Sequence, residues 1–238
     1  MRLLLICAAA LPLGACHASW EHKGTEVAPS GTGATRSYAA TGFTGVDVRG
    51  SDDVIVKAGQ AFSVTAQGDS KLLDKLDIRV DGDTLRIGRK ESWSWSGGNA
   101  RITVTMPKLT SASVAGSGNL TADRAEGDFS GDLAGSGNLE VAGLAGGKVD
   151  LSVAGSGNIK VSGTAQSLHA DTAGSGDIDA RGLKTSSANV SVAGSGNVNG
   201  NVEGEADVSI VGSGDVDLGA SAHCKVSAMG SGEAHCGR

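Results

Sequence analysis

The chain has 238 residues, room for one large domain or two small ones, and its net charge of −6 with no basic run excludes a nucleic-acid footprint. With 38 glycines, 3 prolines and only 3% aromatic residues, any core must be built from Val, Ile, Leu and Ala in a repeated geometry. Such a composition also fits disorder; the regular apolar alternation described below argues against it.

The first element is an address. Residues 1–15, "MRLLLICAAALPLGA", hold Arg2, a short apolar run and then Leu13-Gly14-Ala15 before Cys16. The apolar run is too short for a permanent membrane span. The stretch ending at Cys16 resembles the lipobox of bacterial lipoproteins, which implies cleavage before Cys16 and acylation of that residue. Several acyl chains together hold a protein stably on a membrane. The alternative is an ordinary secretory signal cut near Ala18. His17, rather than Asp, follows Cys16; in a Gram-negative host the lipobox resemblance then points to the outer membrane. Residues 16–36 are polar and read as a lipidated Cys16 on a flexible tether.

Residues 37–238 read as a single β domain in two parts. In 37–110, "GFTGVDVRG", "DVIVKAG", "FSVTAQG", "LDIRVDGDTLRIG" and "RITVTMP" are alternating runs punctuated by Gly and Asp, hence irregular strands. "DSKLLDKL" (69–76) is a single helical turn or a loop. "ESWSWSGGN" carries Trp93 and Trp95, which share one face if the segment is a strand. They either cap the end of the domain as a hairpin flap or form an aromatic platform for sugar rings or a partner surface.

Residues 111–238 repeat one motif. Gly-Ser-Gly begins at Gly116, Gly135, Gly155, Gly174, Gly194, Gly212 and Gly230, a period of about 19 residues. Around Gly155, Leu151, Val153, Ile159 and Val161 lie at even offsets, while Asp150, Ser152, Asn158 and Lys160 lie at odd ones. That is period-two alternation, so strands with one buried face. Two strands joined at a sharp bend, closed by a further glycine-bearing stretch, make one coil of a parallel β-helix, right-handed by the usual hand of parallel crossovers. GSG is the corner, where a Cβ would crowd the interior and positive φ is tolerated. The corner serines should stack into one ladder. Asn119, Asn138, Asn158, Asp177, Asn197 and Asp215 should form another. Calcium-binding glycine–aspartate repeats are the rival for that second ladder, yet the matching position is mostly Asn.

Cys224 and Cys236 lie six residues either side of Gly230. Both face inward by the same parity, opposite each other across the bend, which predicts a disulfide stapling the last coil. A Cys/His metal site with His223 and His235 is disfavoured, because neighbours in a strand point to opposite faces.

Gly42-Phe43 before Val46 and Val48, then "DVIVKAG", "LLDKLDIRVDGDTLRI" and "VTMPKL" leading into repeated GSG[ND], resemble the bacterial family called putative auto-transporter adhesin, head GIN domain. The resemblance runs from about Tyr38 to the C-terminus. It implies a β-helix on envelope lipoproteins or secreted proteins, and it brings no catalytic residues; the two terminal cysteines depart from it. The outward acids Asp150, Asp171, Asp179, Asp207 and Asp217 read as a solvated face rather than a catalytic pair. GSGN lacks the residues of a phosphate-binding loop. The expected function is that of a non-catalytic, membrane-anchored envelope protein contacting glycans or surface proteins, with no cofactor and no metal. A polysaccharide-processing β-helix enzyme and a calcium-stabilised β-roll are the alternatives.

Overall fold

The computed structural model describes residues 24–90 and 98–237. In chain order the elements are β1 (Thr25–Glu26), β2 (Pro29–Ser30), β3 (Thr35–Tyr38), β4 (Gly45–Gly50), β5 (Asp53–Ala58), β6 (Ser63–Gln67), α1 (Ser70–Leu73), β7 (Leu76–Asp81), β8 (Thr84–Arg89) and β9 (Arg101–Met106). The repeat region follows as β10 (Ser111–Gly116), β11 (Asn119–Ala122), β12 (Ala125–Glu126), β13 (Phe129–Gly135), β14 (Asn138–Ala145), β15 (Lys148–Gly155), β16 (Asn158–Gly174), β17 (Ile178–Gly194), β18 (Val198–Gly212), β19 (Val216–Asp217), β20 (His223–Gly230) and β21 (Ala234–His235).

The repeat winds into a β-solenoid of about six turns. Each turn has three faces. The first runs into the glycine corner, and its strands stack in parallel register: Val48, Val114, Leu133, Val153, Thr172, Val192, Ile210 and Ala228 lie one above the next. The second face leaves the corner and stacks Val54, Leu120, Leu139, Ile159, Ile178, Val198, Val216 and Ala234. The third is short and irregular, beginning at β12 on β14. Register shifts fall there or just before it, between Val141 and Leu144, Lys160 and Ser162, and Ala180 and Lys184. Those shifts absorb the variation in repeat length, so the first face and the corner never slip. Parity sets the burial. The inward rows of Val, Ile, Leu and Ala form one continuous core along the axis, and no coil could bury them alone.

The N-terminal part closes one end. β4 and β5 make a coil directly beneath β10 and β11, and β8 and β9 make another beneath β4 and β5. Spatial order here departs from chain order, because the chain leaves β5, passes down and returns to insert β8 and β9. Below them the direction reverses: β7 lies antiparallel to β8, and β6 to β9. β1 adds to β7 and β3 to β6, also antiparallel. Bulkier side chains fill this end, including Phe43, Leu73, Ile78 and Leu85. The segment at 69–76 begins with the short helix α1, whose N-cap Asp69 accepts a hydrogen bond from the Lys71 N–H at 2.9 Å.

The tether expected over 16–36 is too long at its domain end. β1 and β2 are already paired, and Arg36 in β3 is buried with its guanidinium 2.7 Å from Asp74 Oδ1. The polar sequence there reflects edge strands exposed to water rather than a free linker. Cys16, Trp93 and Trp95 lie outside the described residues. Among the described residues no helix is long and apolar enough to cross a membrane.

Candidate functional site

The corner is a backbone device. From Gly50 to Gly212, the carbonyl of each first glycine accepts two N–H groups from the coil above. Ser156 and Gly157 both donate to the Gly135 oxygen, at 2.8 and 3.0 Å, and the pattern repeats from Gly50 to Gly212. The first glycines of the repeat, Gly116 to Gly230, sit at φ from +123° to +133°. A Cβ on Gly155 would collide with the Gly135 carbonyl oxygen in the coil below, so the steric demand runs along the axis rather than into the interior. The second glycine faces inward, and a Cβ on Gly157 would meet both the backbone of Gly137 and the side chain of Leu133.

Next to the corner runs the polar ladder. Asn119 Nδ2 donates to Asp53 Oδ1 (2.7 Å), Asn138 Nδ2 to Asn119 Oδ1 (2.8 Å) and Asn158 Nδ2 to Asn138 Oδ1 (3.2 Å). Above Asn158 the donor changes. Asp177 has no amide hydrogens on its side chain, so its backbone N–H takes over. Asn197, Asp215 and Glu233 continue upward, each backbone N–H donating to the side-chain oxygen below it. Among the corner serines, Ser231 Oγ donates to Ser213 Oγ at 3.1 Å.

Asp53 at the foot of this ladder reveals an earlier corner missed in the sequence. Gly50-Ser51-Asp52-Asp53 occupies the position of Gly-Ser-Gly-Asn, and Gly50 has φ +111°. Its signal was legible: Val46 and Val48 precede it, and Val54 and Val56 follow, in the parity of the repeat. Asp52 replaces the inward glycine and is 1% exposed. It is held by Arg89 through two hydrogen bonds, at 2.6 and 2.9 Å, and by the Ala100 N–H at 2.8 Å. Arg89 also donates to the Gly98 carbonyl. This buried pair therefore grips both ends of the segment that carries Trp93 and Trp95.

The first face is flat, and its outer surface is made of rows. Beside the corner, Ala115, Ala134, Ala154, Ala173 and Ala193 are exposed in register. Two residues earlier stand Ser113, Asp132, Ser152, Asp171, Ser191 and Ser209. Beyond them lie Ser130, Asp150, His169, Asn189 and Asp207. His169 Nε2 lies 3.0 Å from Asp171 Oδ2. On the second face Asp179 is bidentate with Arg181, whose hydrogen bonds hold the carboxyl below the usual carboxylate range. Asp217 lies further up that face, two coils above Asp179. The five outward acids are thus divided between two faces. Among the described residues, no three His, Cys, Asp or Glu side chains converge as metal ligands.

Cys224 and Cys236 are joined by a disulfide with a Cα–Cα distance of 6.1 Å. Cys224 stacks on Ala206 at the start of the first face, and Cys236 follows β21 at the end of the second. The bridge spans the gap where a third face would close the last coil. His223 and His235 are exposed outside it. Away from the coils' flat faces, a hollow of about 230 Å³ lies under β12, where the capping coils lack a third-face strand. Val56, Met106, Leu109 and Ala125 floor it, with Lys108, Arg124 and Glu126 at its rim.

These features define a β-solenoid stacked on glycine corners, sealed at one end and with flat polar flanks. Residues 42–222 match the family described as Putative auto-transporter adhesin, head GIN domain, and the chain belongs to it. Among solved structures, a putative adhesin from Bacteroides fragilis NCTC 9343 superposes with a TM-score of 0.76 at 21% identity, covering 85% of this chain and 95% of that one. A protein from Parabacteroides distasonis ATCC 8503 titled a putative lipid binding protein gives 0.70 at 25% identity, covering 88% and 98%. A putative adhesin from Parabacteroides merdae ATCC 43184 gives 0.63 at 17% identity, covering 91% and 99%. A comparison with curated proteins finds no match.

Proposed function

We propose that this chain is a non-catalytic, lipid-anchored envelope protein that binds glycans or surface proteins through its solenoid flank. The observation that carries the reading is the first face: a flat, in-register array whose outward hydroxyl, amide and carboxylate groups stand exposed at strand spacing, roughly 4.8 Å from coil to coil. An array of that kind suits a partner that is itself extended and repetitive, each rung adding a weak polar contact. The adhesin-named family supports the class. The lipobox resemblance at Cys16 supports the anchor and an outer-membrane address. Trp93 and Trp95 are the candidate aromatic contacts, on a segment whose ends are fixed by Asp52 and Arg89.

The test is a glycan array with residues 17–238, run beside a Trp93→Ala/Trp95→Ala double variant and a Ser152→Arg/Ser191→Arg variant of the first face. Binding abolished by the face variant supports the flank as the contact. Binding that survives it but disappears with the tryptophans moves the site to the Trp segment. Cleavage of a glycan, lost when a pair of outward carboxylates is replaced, would establish the enzyme alternative instead.

The hollow under β12 favours a second reading, a small amphiphile with an anionic head. It combines an apolar floor with Lys108 at a rim where Arg124 is paired with Glu126 at 3.3 Å, and the Parabacteroides distasonis relative is named for lipid binding. Saturable binding of a fatty acid, lost on Lys108→Glu, would support it.

A further inference from the structure

The two ends of the solenoid differ. At the N-terminal end β7 and β6 run antiparallel beneath the parallel coils, and β1 and β3 cover them in turn. At the other end, among the described residues, no strand pairs with the outer edge of β20 or β21. Every corner carbonyl from Gly50 to Gly212 accepts two N–H groups from above, whereas that of Gly230 meets no such pair. The large hydrophobic side chains that stay exposed among the described residues all lie here: Val211 at 54%, Val226 at 49% and Met229 at 74%. Val226 belongs to an inward row, stacked on Val208, and is open because no described strand covers it. An unpaired edge of this kind invites another strand.

We infer that two copies of this chain join end to end, β20 of one antiparallel to β20 of its partner about a two-fold axis. Charge selects this occupant. His223 and Lys225 stand at the start of β20, and Glu233 stands just past its end. Antiparallel self-pairing lays the basic start of one copy toward the acidic end of the other, and the symmetry does this twice. In-register parallel addition would set Lys225 against Lys225. The flanks are unsuited to side-by-side association, because residues 111–238 hold 7 Lys+Arg against 15 Asp+Glu. At the N-terminal end the outermost described strands are the two-residue β1 and β2, too short to receive the eight-residue β20, so the contact is isologous and closes at two copies. The join places both N-terminal ends at opposite poles. Resting on the anchored-adhesin reading above, such a pair would bridge two surfaces by binding like to like.

Sedimentation equilibrium tests this on the full chain carrying Cys16→Ser, so that no acyl group adds its own association. A reversible monomer–dimer equilibrium is expected. Val226→Lys should weaken it by roughly tenfold or more. Lys225→Glu and Glu233→Lys should each weaken it, and the two together should restore it. These residues are exposed, so an unchanged circular dichroism spectrum and thermal midpoint will show that the coils remain folded. A monomer at every concentration overturns the inference. So does a dimer indifferent to these substitutions, or growth into open filaments. Glycan binding by the monomer stays measurable in either case, so a failed dimer leaves the adhesive reading standing, and the reverse also holds.

Discussion

At the scale of single residues, the corner glycine answers two demands that substitution can separate. Gly155 needs a φ of +130° and also a bare Cα, because a Cβ there would strike the coil beneath. Gly146 has φ +75° but open space around a Cβ. Gly146→Ala should therefore cost only the conformational term, about 1 kcal/mol, whereas Gly155→Ala should cost at least ~2 kcal/mol in chemical denaturation. Equal losses would mean that stacking contact adds nothing at the corner. Tyr38 offers a second residue-scale test, since it is the only tyrosine in the chain. It is buried, its hydroxyl has no hydrogen-bond partner among the described residues, and that burial raises its pKa above the ordinary value of 10.0. The folded state thus favours the protonated phenol. Its contribution to stability is complete below the unfolded pKa and is lost as pH rises through the folded one. A tyrosinate absorbance titration should show a midpoint above 10.0 in the native protein and an ordinary one in denaturant. Tyr38→Phe should remove that part of the alkaline destabilisation.

At the scale of elements, the coils were legible because each unit states its corner in the same letters and its faces by parity. Gly116 to Gly230, the Val and Ile rows and the Asn119–Asp215 ladder could all be placed from spacing alone. What could not be read depends on non-local packing. The return of β8 and β9 beneath β4 and β5 leaves no periodic trace, because antiparallel capping strands alternate just as coil strands do. Asp52 hid the first corner by standing where the repeat has glycine, and its partner Arg89 lies 37 residues away. The third face was also invisible as a strand, since its shifts break the period. The terminal bridge sits at the boundary of these regimes: parity placed both cysteines inward, while the gap it spans became clear only from the missing third face. Replacing Cys224 and Cys236 by serine should release that end first. The chain-entropy model for so short a loop gives a loss of roughly 2–3 kcal/mol, confined to the last coil. Hydrogen exchange should then accelerate in β20 and β21 while β13 to β17 keep their protection. Uniform acceleration through the solenoid would show instead that the bridge supports the whole stack.

At the scale of the whole molecule, the solenoid is polar in construction. Its N-terminal end carries the antiparallel seal, its flanks carry the acidic excess, and its far end, among the described residues, presents an open edge held by the disulfide. An anchor at Cys16 would enter at the sealed end, since β1 begins at Thr25 and lies on β7 in the cap. The coils would then stand away from the membrane, with the open edge farthest from it. In that orientation a lipid at Cys16 would give the flanks and the open edge a direction to face. Its removal should change location without changing fold. In a bacterial host, the wild-type chain should partition into the detergent phase, and its amino-terminal peptide should carry the mass of acyl groups on Cys16. Cys16→Ser should appear in the aqueous phase with the same thermal midpoint, because the substituted residue precedes every described strand of the domain. A wild-type chain recovered in the aqueous phase, with an unmodified amino terminus near Ser19, would instead establish cleavage as an ordinary secreted protein. The outward orientation would then lose its physical basis, while the coil geometry would stand unchanged.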